Sequence, residues 1–236
     1  GEAGVPGRIG VNSGSLRRTS SLSEDESGNM VRSALEYADE FRKKDFKDLV
    51  ISIKSADCLT TIASYRKIAA ECDYPLHLGV TAAGLPADGI VRSSIGIGSL
   101  LADGIGDTIR VSLTGDPVEE VGVAKRILST LNLRKFGHDI ISCPTCGRCR
   151  VDLISIVKEL EEELKKTEKP AGDKGKQLTI AIMGCEVNGP GEAMHADIGV
   201  AFGSGKGAIF RHGKVLKTVK ADSAIKELLE IINEEP

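Results

Sequence analysis

Four of the six cysteines in this chain lie in two short motifs. Cys143, Cys146 and Cys149 follow one another at intervals of three in ISCPTCGRCRVDL, and Cys185 lies in MGCEVNGPGE. A Cys-x-x-Cys loop can place two thiolates on one metal, because both side chains emerge from the same tight turn. Four cysteines suit a closed zinc site, whereas three cysteines and another ligand suit an iron–sulfur cluster. The spacing alone leaves both metals open.

The remaining metal-ligating residue types have simpler interpretations. Cys58 and Cys72 lie at the ends of a predicted helix, where we expect them to pack in the core. His138 precedes the first cysteine motif, and we expect a structural histidine there rather than a ligand. Cys185 follows a buried strand, and the Asn-Gly-Pro-Gly turn after it can bring backbone close to a bulky group.

A second set of polar side chains lies near the ends of four predicted strands. The set is Arg8 and Asn12 in GRIGVN, Lys54 in VISIK, Thr81 in HLGVT, and Arg110 and Ser112 in TIRVSL. The carboxyl ends of parallel barrel strands form active sites, so we expect these residues to lie together. Three cations among neutral donors suit a phosphate or diphosphate group. A solvated rim is the alternative, and His77 could either contact substrate or pack in the core.

The elements that carry these residues alternate between strands and helices. The predicted strands are 7–12, 48–54, 74–81 and 107–113, and the predicted helices are 29–44, 57–72, 93–104 and 116–133. Such alternation implies right-handed β-α-β units and a parallel sheet. A closed barrel needs eight strands, so four units predict half a barrel.

The second half of the chain has a different pattern. Predicted elements are strands at 138–142 and 178–184, a helix at 151–167, short strands with glycine turns within 197–219, and a closing helix at 221–233. We therefore predict an α/β fold. Residues 1–135 form the C-terminal half of a (β/α)8 TIM-type barrel, and residues 136–236 form a small α+β domain that carries the cysteines.

Composition narrows the function classes. The net charge is −3 with both signs interspersed, so no basic stripe indicates nucleic-acid binding. No apolar run approaches the ~20 residues of a membrane span, and the first residues lack the layout of a signal peptide. We therefore expect a cytoplasmic protein, in which reduced thiols favour metal or redox chemistry over disulfides.

The motif CPTCGR followed by MGCEVNGPGE resembles the C-terminal domain of the bacterial 4-hydroxy-3-methylbut-2-enyl diphosphate synthase family, of the non-mevalonate isoprenoid pathway. The stretches RIGVNSGSL, ISIKSAD, PLHLGVTAAG, SSIGIGSLLADGIGDTIRVSLTGDPVEE and GEAMHADIGV extend the resemblance over nearly all of the chain. It implies an oxidoreductase that opens the ring of 2-C-methyl-D-erythritol 2,4-cyclodiphosphate with two electrons and loss of water. It also implies ferredoxin or flavodoxin as electron donor and a head-to-tail homodimer.

The resemblance also implies roles for particular residues. A 4Fe–4S cluster would be held by Cys143, Cys146, Cys185 and Glu192, with Cys149 an extra thiol or a substitute ligand. Glu192 and Thr81 would be catalytic. The implied substrate-binding positions are Arg8, Asn12, Lys54, Arg110 and Ser112, which is the strand-end set again.

Two features depart from the family pattern. The glutamate that follows the threonine in the family, a candidate proton donor, is Ala82 here. The sequence also starts at the expected fifth barrel strand, so the first half-barrel is absent from it. These departures keep two alternatives open: a non-catalytic scaffold with a cysteine zinc site, and a cluster protein that passes electrons but has lost its substrate.

Overall fold

The structure is a computed structural model that describes residues 4–16, 25–167, 177–186, 191 and 193–234. The chain divides into two compact units, Gly1–Lys135 and Phe136–Pro236. Each unit has its own hydrophobic core. Among the described helices, none combines the length and the apolar character that crossing a membrane would require.

The first unit alternates four strands with four helices, as predicted. The elements are β1 (Gly7–Asn12), α1 (Glu26–Arg42), β2 (Leu49–Lys54), α2 (Cys58–Glu71), β3 (His77–Leu78), α3 (Pro86–Ala102), β4 (Thr108–Ile109) and α4 (Pro117–Thr130). Strand β1 pairs in parallel with β2, and β3 with β4. A parallel bridge between Ile51 and Leu76 joins the two pairs. The mixed α/β architecture is confirmed.

Alternation along the strands separates a core face from a polar face. Ile9, Val11, Ile51 and Ile53 are at most 5% exposed and pack in the core with residues of the helices. Successive strand residues point to opposite sides of a sheet, so the intervening positions share the other face. Lys54, which follows Ile53, is on that face.

Strands β3 and β4 are shorter than the predicted 74–81 and 107–113. The Arg110 N–H donates to the Leu78 carbonyl at 2.9 Å, directly after the paired residues of the two strands. Beyond it the backbone groups take other partners: the Thr81 N–H bonds the Ser55 carbonyl at 3.2 Å. The ladder therefore ends because the chain turns away to form the loops.

The sequence predicted the starts of α2 and α4 within one residue, whereas α1 begins at Glu26 rather than at the predicted residue 29. The carboxylates of Asp25, Asp57 and Asp116 accept backbone N–H groups at the starts of α1, α2 and α4. Such caps satisfy otherwise unpaired donors. Helix α3 begins at Pro86 rather than at the predicted residue 93, because proline is favoured in the first turn of a helix.

The second unit is a five-stranded sheet with two described helices. Its elements are β5 (Asp139–Ser142), α5 (Leu153–Thr167), β6 (Thr179–Met183), β7 (Ile198–Gly203), β8 (Lys206–Arg211), β9 (Lys214–Lys220) and α6 (Ala224–Asn233). The strands lie in chain order, with β5, β6 and β7 parallel and β8 and β9 antiparallel. Ile180, Ile182 and Phe202 are fully buried and pack with apolar residues of both helices.

Candidate functional site

Three cations from different strand segments form a cationic cluster, defined as Arg8, Lys54 and Arg110. Arg8 lies on β1, Lys54 ends β2, and Arg110 directly follows β4. Arg8 and Arg110 are each close enough to Lys54 to lower its pKa. Asn12 faces Lys54 in the β1–β2 register. The structure therefore brings these four predicted residues into one region of the first unit.

The cationic cluster lacks an acidic partner among the residues that the structure describes. In the part of the chain that the structure describes, no carboxylate forms an ion pair with any of its three members. Burial first, and repulsion from Arg8 and Arg110 after it, together lower the pKa of Lys54 to about 8. Like charges held together raise the free energy of the site, so a bound anion would relieve the repulsion.

Gly79 gives Lys54 the space it occupies. A methyl group at Gly79 would lie 2.8 Å from Lys54 Nζ and 2.7 Å from the carbonyl oxygen of Arg110. Neither approach is tolerable, so a side chain at this position would displace the ammonium, the neighbouring backbone, or both. The strand-end pattern missed Gly79, although alternation places it on the same face as His77 and Thr81.

Backbone hydrogen bonds connect the loops that follow β2, β3 and β4. The Thr81 N–H donates to the Ser55 carbonyl at 3.2 Å, and the Thr114 N–H donates to the Gly84 carbonyl at 2.9 Å. These bonds hold Thr81 near the end of β2 and the segment after Ser112 near the loop that follows Thr81. Both predicted residues are half-buried. The remaining members of the strand-end set thus belong to the same group of connected loops.

Ala82, which replaces the family glutamate, has an unusual backbone conformation. Its φ is 49°, in the left-handed region, whereas glycine is the residue that adopts such values without cost. The side chain is exposed. An alanine there supplies no group that could transfer a proton.

Tyr65 of α2 connects two strands of the sheet from within the core. Its hydroxyl accepts the Ile53 N–H at 3.0 Å and donates to the His77 carbonyl oxygen. The ring is fully buried, and this burial raises the pKa of the phenol. Tyr65 therefore fixes the position of β3 beside the end of β2, where Lys54 lies.

His77 is the fourth basic group near the cationic cluster. Its Nδ1 lies 2.8 Å from Thr108 Oγ1, within a hydrogen bond across the β3–β4 pair. Burial, followed by repulsion from Lys54, Arg8 and Arg110, lowers the pKa of His77 to about 4. The imidazole is therefore neutral near pH 7.

In the second unit, Gly184 contacts two of the motif cysteines. Its N–H donates to Cys143 Sγ at 3.2 Å, and its carbonyl accepts the Arg150 N–H at 2.9 Å. A methyl group at Gly184 would lie only 2.5 Å from Cys149 Sγ. Gly184 follows the last residue of β6 and directly precedes Cys185. The loop that carries Cys143 and Cys149 therefore packs against the end of β6, next to the fourth cysteine.

The four motif cysteines differ in environment. Cys185 is buried and Cys146 is exposed. A hydrogen bond from the Arg148 backbone is the main cause that lowers the pKa of Cys146, which favours the thiolate that metals bind. Cys149 Sγ lies 3.3 Å from the Val151 carbonyl and donates to it, as a protonated thiol does. This bond favours the interpretation of Cys149 as an extra thiol.

Thiolate chemistry at this site fits a soft metal group. An N–H donated to Cys143 Sγ and a lowered pKa at Cys146 both favour the thiolate form that a soft metal group binds. Within the described residues, no three His, Cys, Asp or Glu side chains are already gathered as a metal site. The predicted ligand and catalytic residue Glu192 lies outside the described residues.

His138 has a structural partner. Its Nδ1 accepts the Leu178 N–H at 3.2 Å, just before the paired strands β5 and β6. This bond occupies one ring nitrogen and supports the structural role expected from the sequence.

Two family models match the chain. One, described as "GcpE TIM-barrel domain", matches residues 1–125, and the other, described as "GcpE protein C-terminal domain", matches residues 139–234. The first match alone covers more than half of the chain.

Curated relatives match almost the whole chain. A 4-hydroxy-3-methylbut-2-en-1-yl diphosphate synthase (flavodoxin) of Clostridium perfringens is 52% identical over 233 residues, 98% of this chain and 65% of the relative. The protein of the same name from Clostridium tetani is 51% identical with the same coverage. That from Corynebacterium diphtheriae is 49% identical over 98% of this chain and 58% of the relative.

The chain thus spans slightly less than two thirds of the length of these relatives. The resemblance that the two cysteine motifs indicated is confirmed. On the family matches and on these identities, the chain belongs to the GcpE family.

Proposed function

We propose that this chain carries the diphosphate-binding and cluster-binding parts of a 4-hydroxy-3-methylbut-2-enyl diphosphate synthase. The observation that carries the proposal is the cationic cluster, where three cations from separate strand segments lie together and no carboxylate of the described residues pairs with them. A diphosphate is the ligand that such a site favours. The relatives are about 50% identical to this chain, and their names state that they are synthases of a diphosphate and mention flavodoxin.

The proposed substrate is 2-C-methyl-D-erythritol 2,4-cyclodiphosphate, and the reaction balances as a reduction. Two electrons and two protons enter, and one molecule of water leaves. The ring bond between carbon and a phosphate oxygen breaks, a carbon–hydroxyl bond breaks, and a carbon–carbon double bond forms. The product is 4-hydroxy-3-methylbut-2-enyl diphosphate, and flavodoxin or ferredoxin is the proposed reductant.

The residues of the first unit bind and orient this substrate in our proposal. Arg8 and Arg110 offer planar pairs of donors to the diphosphate, and Lys54 offers a point charge. Asn12, opposite Lys54, donates its amide hydrogens. Thr81 acts next to the reacting carbons, where its hydroxyl can hold a proton in place. Ser112 adds a hydroxyl from the loop after β4.

The residues of the second unit would hold a 4Fe–4S cluster through Cys143, Cys146, Cys185 and Glu192. When bound, such a cluster supplies electrons one at a time. The Gly184 N–H would stabilise negative charge on Cys143 Sγ, and the Arg148 backbone would do so at Cys146. Residues 136–236 are thus the proposed cluster domain, and residues 1–135 the proposed last four β/α units of a TIM-type barrel.

A head-to-tail homodimer is also part of the proposal, by analogy with the family. Light scattering coupled to size-exclusion chromatography on the reconstituted protein should give twice the 25.0 kDa chain mass. A monomer at all concentrations would remove the dimer from the proposal.

The test combines metal analysis with binding. Protein reconstituted without oxygen should hold roughly four irons and four sulfides per chain, as a 4Fe–4S cluster requires. Calorimetry should show that the cyclodiphosphate binds, and that Lys54→Ala weakens binding while the exposed Lys44→Ala does not. One zinc without sulfide would contradict the cluster, and equal binding by both variants would contradict the diphosphate site.

A further inference from the structure

We propose that His77 is a fourth binding group of the anion site, and that its Nε2–H donates a hydrogen bond to a phosphate oxygen held by the cationic cluster. The inference rests on the proposed function, because it needs an anion at that cluster. It assigns a role to a histidine for which sequence patterns left both substrate contact and core packing open.

The first argument is that the ring is fixed in place. Nδ1 is engaged with Thr108 Oγ1 at 2.8 Å, and the backbone carbonyl of His77 accepts the Tyr65 hydroxyl. A threonine hydroxyl can donate or accept. It can therefore bond Nδ1 of a neutral ring that carries its proton on Nε2, and equally Nδ1–H of a charged ring. In both of these forms Nε2 presents an N–H. A neutral ring with its proton on Nδ1 would leave Nε2 as an acceptor, so a bound anion selects the two forms that donate.

The second argument is that Nε2 has no hydrogen-bond partner among the described residues. This atom is buried, and no described residue serves as its hydrogen-bond partner. A buried polar atom without a partner destabilises the folded state, so its presence in a folded protein calls for a reason. A ligand that supplies the missing acceptor is such a reason.

The third argument is position. His77 begins β3, Gly79 directly follows the strand two residues later, and Lys54 Nζ lies against Gly79. The Lys54 side chain has four rotatable bonds, so it can move toward an arriving anion. The imidazole and the ammonium can then share one phosphate group.

The charged groups around the ring agree with this assignment. Lys54 of β2, Arg8 of β1 and Arg110 after β4 repel the imidazolium and help to lower the pKa of His77 to about 4. None of the causes of this shift is an acidic group, which would raise the pKa. The neighbouring Tyr65 is neutral, since burial raises its pKa. A bound diphosphate would reverse the sign of the local field, so the pKa of His77 should rise on binding.

Nuclear magnetic resonance of the full chain tests the contact directly. The chain has four histidines, so ¹⁵N-histidine labelling gives few signals, and single variants assign them. Titration with inorganic diphosphate should shift the His77 Nε2 resonance and raise the pKa of His77 by about one unit or more, the size of effect that a nearby opposite charge produces. The exposed His212 on the β8–β9 turn is the internal control and should not respond.

Two variants separate the ring nitrogens. An asparagine amide reaches the position of Nδ1, whereas a glutamine amide reaches that of Nε2. We expect His77→Asn to weaken inorganic diphosphate binding about 10-fold or more, as loss of a hydrogen bond to a charged group does, and His77→Gln to restore part of it. The matched control, His212→Asn, should bind as the wild type does. Thermal unfolding verifies that each variant folds.

The outcomes distinguish the inference from the function beneath it. If the wild type does not bind diphosphate, the proposed anion site fails and the role of His77 fails with it. If Lys54→Ala loses binding while His77→Asn keeps it and the His77 resonance is unchanged, the anion site stands and the role of His77 is wrong. If His77→Asn does not fold, the resonance and pKa of His77 in the wild type decide.

Discussion

Lys54 Nζ occupies the space in front of Gly79, where a methyl group would lie 2.8 Å from the ammonium. The two residues come from neighbouring segments of the sheet, which the Ile51–Leu76 bridge joins. Without a side chain at residue 79, a partly buried ammonium can lie across β3 next to Arg110. The shape of the anion site thus depends on a residue that itself offers no charge and no donor.

Gly79→Ala should therefore weaken the anion site and the fold together. The added methyl group would lie against Lys54 Nζ and the Arg110 carbonyl, and such overpacking costs about 1–3 kcal/mol. The matched control is Gly10→Ala on β1, whose methyl group would meet only Ser52 Oγ at an ordinary 3.5 Å. Urea unfolding and calorimetry with inorganic diphosphate should separate the variants; identical behaviour would contradict the close packing.

Diphosphate affinity should decrease as the pH rises through about 8, where Lys54 loses its proton. Lys54→Met has no proton to lose at this position and should bind weakly, with a flatter pH profile. Titration of diphosphate itself affects both proteins, so the difference between their calorimetric profiles isolates Lys54. Parallel profiles from pH 7 to 9.5 would show that Lys54 does not titrate in this range.

The same pKa makes a prediction about stability, with the opposite dependence on pH. The ordinary pKa of lysine, 10.5, holds in the unfolded chain, so between about 8 and 10.5 the unfolded state binds more protons than the folded state. The free energy of unfolding then rises with pH through this window. Urea denaturation at several pH values gives the free energy of unfolding of the wild type and of Lys54→Met. The difference between the two free energies should rise with pH through this window, because only the wild type carries the titrating lysine.

Tyr65→Phe should destabilise the first unit. Removing the hydroxyl leaves the Ile53 N–H and the His77 carbonyl without their buried partner, at a cost of about 1–3 kcal/mol. Tyr37→Phe is the control, because Tyr37 is 46% exposed. Urea unfolding measures both; a Tyr65→Phe protein as stable as Tyr37→Phe would show that the bridge between the strands is unimportant.

Gly184→Ala should reduce cluster incorporation. A methyl group 2.5 Å from Cys149 Sγ would push the cysteine loop away from the end of β6, where Cys185 follows. Gly147→Ala is a matched control within the loop, since a methyl group there would meet nothing within 4 Å. Iron and acid-labile sulfide per chain after anaerobic reconstitution should fall in the first variant only.

The sequence predicted the elements well where local signals are strong. Alternating burial in β1 and the starts of α2 and α4, which lie within one residue of those predicted, follow from neighbours in the chain, whose spacing the backbone geometry sets. The start of α3 was wrong because the apolar pattern was given more weight than the helix-starting signal of Pro86.

Site prediction had a similar limit. Alternation and strand ends were enough to select Arg8, Lys54 and Arg110 as residues of one site. The close approach of Gly79 to Lys54, and the position of His77 beside all three cations, depend on how separate strands pair. Spacing within one strand contains no information about that pairing.

By itself the sequence determined the residue types, the order of strands and helices, and the two cysteine motifs that indicate a family. Only the tertiary structure decided which groups lie against one another: Lys54 against Gly79, His77 against Thr108, and Gly184 against Cys149. The physical reason is the separation along the sequence over which each interaction acts. Helix and strand periodicity arise between residues a few positions apart, whereas these contacts form between segments that meet only when the sheets assemble.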